Sequence, residues 1–194
     1  MRDPLPTGKQ VADTITYGRL ALAFGLVALG LAQGSSGVGL AVWLMIADWT
    51  GDCLDGAIAR HSRVQAHSWI GDHDLAVDMM VSVGLLAFLR LAGLVDFWLA
   101  SAYLVGWALV FWRWRVPAAL GMLFQAPIYG WFIINALRLS PANGRWLVVW
   151  ILAAIAITWP KFPKVVVPGF LRGMRAITHR PPQDSSRRHL THTH

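Results

Sequence analysis

Apolar residues run through this chain in long blocks, separated by short polar breaks. The first fourteen residues are polar, include Pro4 and Pro6, and leave room for a short interfacial helix over residues 8–14. An apolar run opened by Thr16-Tyr17-Gly18-Arg19 continues to Gln33, and an uncharged Gly/Ser segment over 33–37 turns the chain. Further runs cover residues 38–58, 72–92, 97–111, 118–137 and 146–159, with breaks at 61–68, 93–96, 113–117 and 140–144. Runs of this length cross a bilayer core of ~30 Å when their interfacial ends are included. The pattern predicts an all-α protein, an integral membrane bundle of six transmembrane helices with short interfacial helices at the termini. Residues 1–14 form the N-terminal segment, 15–165 the bundle and 166–194 a basic C-terminal segment. Residues 165–177 read as an interfacial helix, and the Pro-, Ser-, Arg- and His-rich tail from His179 reads as disordered.

Composition narrows the class. A 56% hydrophobic chain with 14% charged residues is too apolar for an ordinary soluble domain, and its eleven Trp suit interfacial aromatic belts. The net charge of +7 does not point to nucleic acid, because the basic residues cluster at the ends of apolar runs, where they meet anionic headgroups. The single cysteine, Cys53, rules out an intramolecular disulfide and reads as a small packing residue. No Cys/His cluster with metal spacing occurs, and no signal peptide is read at the start. With six spans and both termini in the cytoplasm, fourteen Lys and Arg fall inside and three (Arg90, Arg138 and Arg145) outside, which sets the orientation.

The acidic residues carry the chemistry. All ten are Asp, and six of them (Asp48, Asp52, Asp55, Asp72, Asp74 and Asp78) lie within one stretch flanked by apolar runs. Carboxylates in membrane helices are costly unless paired, hydrated or metal-bound, which makes them candidates for a functional site. Asp52 and Asp55 are three apart and share a helix face, with Asp48 one turn earlier; Asp74 and Asp78 are four apart and share a face of the next helix. Two such pairs facing each other suit hard divalent cations with oxygen ligands. Gly56 leaves room for a ligand, and Arg60 suits phosphate oxygens.

These residues resemble the signature of the CDP-alcohol phosphatidyltransferases, D-x2-D-G-x2-A-R-x8-G-x3-D-x3-D. Asp52, Asp55, Gly56, Ala59 and Arg60 match its first half without a gap. Gly71, Asp74 and Asp78 supply the second half, with ten residues between Arg60 and Gly71 where the signature has eight, and two between Gly71 and Asp74 where it has three. The likeness is specific over about 27 residues. It implies transfer of a phosphatidyl group from CDP-diacylglycerol to an alcohol, with release of CMP, at the inner face of a bacterial-type cytoplasmic membrane. Asp52, Asp55, Asp74 and Asp78 would hold divalent cations, Mg²⁺ or Mn²⁺ and two of them, with Asp78 also the general base. Asp52, Gly56, Ala59, Arg60 and Gly71 would contact the nucleotide and its diphosphate. Arg113 and Arg115 would hold a phosphorylated acceptor such as glycerol 3-phosphate, or act as interfacial anchors. A homodimer is common in such enzymes.

Other readings stand beside this one. Thr16-x-x-Arg19 resembles a motif of the family's first helix and equally reads as a cationic helix-end anchor. Asp72 suits a helix N-cap, while Asp48 suits either a hydrogen bond within the bundle or an extension of the metal site. The Asp set as a whole could be an ion-pair network stapling two helices, against which stands the scarcity of nearby cations, Arg60 and Arg63. A catalytically degenerate relative and a cation transporter are the functional alternatives; the latter lacks polar residues continuing across the last three spans.

Overall fold

The structure, a computed structural model, describes residues 7–61, 74–114, 118–159, 164–165 and 167–178, with the backbone alone at 7–13, 55–61, 74 and 176–178. Among the described residues seven α-helices follow one another: α1 (Thr7–Gln33), α2 (Val38–His61), α3 (Asp74–Leu91), α4 (Phe97–Trp114), α5 (Ala118–Leu139), α6 (Pro141–Thr158) and α7 (Val167–Thr178). A 3₁₀ turn, Gly34–Gly37, joins α1 to α2, and no strand occurs among the described residues. Among the described residues three helical stretches are long and apolar enough to cross a membrane: Thr14–Leu54, Ala118–Leu139 and Pro141–Thr158. The first holds both α1 and α2, folded back where Gly34 takes a φ of 55°, a conformation that costs glycine little. The two remaining long helices interrupt their apolar runs differently: α3 carries Asp74, Asp78 and Arg90, and α4 carries Arg113 and four Trp.

Cross-helix contacts fix the directions. Arg19 meets Asp48 and Asp52, and the Arg19 stem runs close to Gly51, so α2 is antiparallel to α1. Arg19 meets Asp78, Ala23 lies against Gly84, and Gly30 lies against Phe88 and Leu91, so α3 is parallel to α1. Ser82 bonds to Tyr129 and Leu75 packs on Gly121, which places α5 parallel to α3. Trp43 Nε1 donates to Asn143 Oδ1 (3.1 Å) and Trp150 Nε1 to Thr50 Oγ1 (3.1 Å), so α6 is parallel to α2. The start of α1, the end of α2 and the start of α3 therefore gather at one end of the bundle, together with the end of α4 and the start of α5. Amphipathic α7 docks there too: a Cβ at Gly173 would lie 2.8 Å from that of Ala119.

The core sits between α1, α2, α3 and α5 and is built from Leu26, Met45, Leu85, Phe88, Phe124 and Phe132. Outward faces are equally apolar. Trp98 and Trp146 are exposed at one end, and Trp112 and Trp159 at the other, the arrangement of two interfacial belts.

Three boundaries differ from the sequence expectation. The stretch 8–14 is the first part of α1 rather than a separate interfacial helix. Residues 140–144, read as a turn, are the start of α6: Pro141 occupies its first turn, where no N–H is missed, and Gly144 is buried against α5. A Cβ at Gly144 would lie 2.8 Å from the Ala136 carbonyl, so this glycine serves close packing, not a turn. Finally, α4 extends past Phe111 to Trp114. Cys53, read as a small packing residue, is exposed.

Candidate functional site

At the end where α1, α2 and α3 meet, one guanidinium joins three carboxylates. Arg19 Nε donates to Asp48 Oδ1 at 3.1 Å, Nη1 lies 2.9 Å from Asp52 Oδ1, and Nη2 donates to Asp78 Oδ1. Each guanidinium nitrogen thus serves a different Asp, and the planar fork of Arg is the side chain able to do so. The local sequence prepares this. Asp48 and Asp52 lie one turn apart on α2, so both face α1. Gly51, between them, clears the space that the Arg19 stem and Ile15 occupy: a Cβ there would lie 3.5 Å from Arg19 Cγ and 3.2 Å from Ile15 Cγ2. Asp78 comes from the second turn of α3, brought close because Gly84 lets α3 approach the α1 backbone.

Burial divides the cluster. The Arg19 and Asp48 side chains are 3% and 2% exposed, whereas those of Asp52 and Asp78 are 44% and 27% exposed. The Arg19–Asp48 pair is thus a floor, and Asp52 and Asp78 form a rim open to the outside. Beneath the rim, Ser82 Oγ donates to the Asp78 carbonyl (2.9 Å) and shares a 2.9 Å hydrogen bond with the Tyr129 hydroxyl. Tyr129 in turn meets Trp49 edge-on at 5.3 Å, and Trp49 stacks at a tilt on Trp150 at 5.7 Å. These contacts tie Asp78 to α5 and Asp48's neighbour to α6, so four helices steady the two acidic turns.

An apolar groove of about 660 Å³ opens between α1 and α3 directly beside the cluster. Phe24, Val27, Met79, Met80 and Val83 line it. Met79 follows Asp78 in the chain, and Ala23, also in the lining, is one turn from Arg19.

Of the residues expected at the site, Asp52 and Asp78 are brought together. Asp55, Gly56, Ala59 and Arg60 continue α2 beyond Asp52, and Asp74 opens α3, but their side chains lie outside the described residues. Gly71, Asp72, Arg63 and Arg115 lie outside them altogether. Arg113 is exposed in the last turn of α4, with its Cζ 5.4 Å from the centre of the Trp114 ring. The scarcity of cations near the Asp set does not hold in three dimensions, because Arg19 from α1 stands among them. One signal of this lies in the sequence: Arg19 and Asp52 are equally far from the middle of the 34–37 turn, so an antiparallel hairpin must set them level.

No protein-family model matches the chain, and neither a curated protein nor a solved structure gives a significant match.

Proposed function

We propose that this chain is a membrane-embedded, metal-dependent transferase that moves a phosphatidyl group from CDP-diacylglycerol to an alcohol and releases CMP. The observation that carries the reading is the meeting of Asp52 on α2 and Asp78 on α3 at one open rim. Both touch a single guanidinium, so they stand close enough to share a cation. Their donors are hard carboxylate oxygens, the set that Mg²⁺ and Mn²⁺ prefer. Asp55 and Asp74, one turn from Asp52 and Asp78 along the same helices, complete the four proposed ligands. Bound divalent cations would offset charge on the diphosphate and on departing CMP.

The chain's own residues supply the rest. Asp78 accepts the proton of the acceptor hydroxyl as its oxygen bonds to the β-phosphorus, while the bond from that phosphorus to CMP breaks and CMP leaves with the electron pair. Gly56, Ala59, Arg60 and Gly71 form the nucleotide side, and Arg60 pairs with its phosphates. A lipid-linked donor is supported by the apolar groove, which starts at Met79 and extends along α1 and α3 as an acyl chain would. In this reading α1 to α6 all span the membrane, α7 lies on its inner surface, and the cluster faces the cytoplasm, where Lys and Arg are concentrated. The acceptor is a phosphorylated polyol such as glycerol 3-phosphate, held by Arg113 and Arg115.

The three-way engagement of Arg19 favours a second reading, an ion-pair staple without chemistry. Against it, Asp52 and Asp78 keep open edges that water and a cation can reach. Purified protein in mixed micelles with labelled CDP-diacylglycerol and a panel of alcohols decides between them. The transferase releases CMP with Mg²⁺ or Mn²⁺, stops when the metal is chelated, and loses turnover at least about 100-fold on Asp78→Asn while remaining folded. No CMP release with any acceptor leaves the staple.

A further inference from the structure

Asp48 stands outside the family-like pattern, and its setting differs from that of Asp52 and Asp78. It is 1% exposed, lies against the equally buried Arg19, and holds the guanidinium through Nε, the nitrogen nearest the stem. The two outer nitrogens point to the rim carboxylates. A fixed positive charge at that position opposes any divalent cation held by the same carboxylates, and buried charges are weakly screened.

We infer that Asp48 is the buried counter-charge of Arg19, a positioning and charge-balancing residue that lessens the guanidinium's draw on Asp52 and Asp78, which also touch it, and so leaves more of their charge to a divalent cation. With Asp48 cancelling Arg19, the four proposed ligands present four negative charges, the complement of two divalent cations. Without Asp48, the guanidinium draws on the rim carboxylates for its compensation. Arg19, held to the floor, orients the rim by gripping one oxygen of each Asp, with part of its charge offset by Asp48. The inference rests on the proposed metal site and adds a residue that never touches metal or substrate.

A double-mutant cycle tests it, with Mn²⁺ alone as the probe and free Mn²⁺ read by electron paramagnetic resonance on the full chain in detergent. Asp48→Asn keeps an oxygen able to accept from Arg19 Nε and removes only the charge. It weakens Mn²⁺ binding about 10-fold or more, the range seen for groups just outside a metal's ligands. Asp48→Glu restores the charge and most of the affinity. Asp48→Asn combined with Arg19→Met removes both charges, folds because no carboxylate is left without its partner on the floor, and returns affinity to within about threefold of the parent. An Asp48→Asn protein that binds Mn²⁺ unchanged overturns the inference, as does a double variant as weak as the single one. CMP release separates this from the enzymatic reading. Parent protein showing the cycle but no CMP release keeps the charge balance and removes the transferase; CMP release with a flat cycle does the reverse. Protein that takes up no Mn²⁺ removes both.

Discussion

Helices α1 and α3 touch backbone to backbone, whereas α4 and α6 turn much of their bulk outward. At Gly84 an added Cβ would lie 2.7 Å from the Ala23 carbonyl oxygen; at Gly106, in the middle of α4, it would meet nothing within 4 Å. Phe88 on α3 is fully buried, while Trp112 on α4 and Ile157 on α6 are 85% and 83% exposed. The outward-facing helices are the more apolar by sequence, so hydrophobicity alone does not decide which helices are buried. What separates them is small residues and charge. In lipid, apolar side chains gain little by leaving one hydrocarbon for another, and helices associate through close packing and polar contacts instead. The α1–α3 wedge has both: it carries Arg19 and Asp78, and Asp48 and Asp52 meet it from α2. The outer helices make such contacts at fewer places, Gly144 and Tyr103 against α5 and Asn143 and Trp150 against α2, and elsewhere, in a bundle that spans the membrane as proposed, they present their side chains to lipid.

The sharpest break of this contrast is a pair of identical substitutions. Gly84→Val drives a branched side chain into the α1 backbone, which cannot give way as a flexible side chain would. It should cost at least about 3 kcal/mol and leave little folded protein, measured as monodisperse material and thermal stability in detergent. Gly106→Val should stay within about 0.5 kcal/mol of the parent. Equal effects would mean that α4 is packed as tightly as α3, and the division into wedge and outer helices would fail.

Charge gives the next largest effect. Arg19→Met leaves three carboxylates facing one another at a helix junction, two of them partly open to water and one buried. Removing one partner of a buried ion pair costs ~3–5 kcal/mol, and that loss should appear as a drop in thermal midpoint in metal-free protein. Arg113→Met, on the exposed last turn of α4, removes the same charge where nothing depends on it for packing, and should change stability by less than about 0.5 kcal/mol. A mild Arg19→Met would show that the three ion pairs are not what joins α1 to α2 and α3.

A smaller effect tests the support under Asp78. Tyr129→Phe removes the hydrogen bond to Ser82 while keeping the ring against Trp49, and should cost about 1 kcal/mol. If the site is as proposed, turnover should fall further than stability does, because Ser82 also holds the Asp78 carbonyl. The matching change on the outer side, Tyr103→Phe, removes a hydrogen bond to the Phe124 carbonyl on α5, three residues before Pro127. It should cost a similar amount and leave turnover alone.

The positions of the long helices are legible in the sequence because length and polarity alone set them. Apolar blocks end at glycine, proline and charge, and α2 to α6 begin and end within a few residues of those marks. The start of α6 is not legible, because glycine next to proline and asparagine signals a turn in water, and nothing local shows that Gly144 is pressed against Ala136. The pairing of Asp52 with Asp78 follows from spacing within each helix. Arg19 is harder to place, since it comes from a helix that the acidic stretch does not adjoin. Its role emerges once α1 and α2 are seen as a hairpin, and the burial of Asp48 emerges only from the packing of other helices around α2.

The smallest expected change concerns Trp112, the most exposed large apolar side chain on α4. It lies near the end of the helix, on the cluster side, and flanks Arg113 and Trp114. In the proposed six-span bundle a tryptophan there sits with its ring among headgroups, so Trp112→Leu exchanges an interfacial residue for an apolar one without opening a cavity. Stability in detergent should move by no more than about 0.5 kcal/mol, and the sedimentation behaviour should not move at all. A homodimer formed through α4 predicts otherwise: Trp112 would then be buried between two copies, and the substitution would shift the protein towards monomer and lower its thermal midpoint in a concentration-dependent way. Sedimentation of the parent and variant across a range of protein concentrations therefore decides whether the outward face of α4 meets lipid or a second copy of the chain.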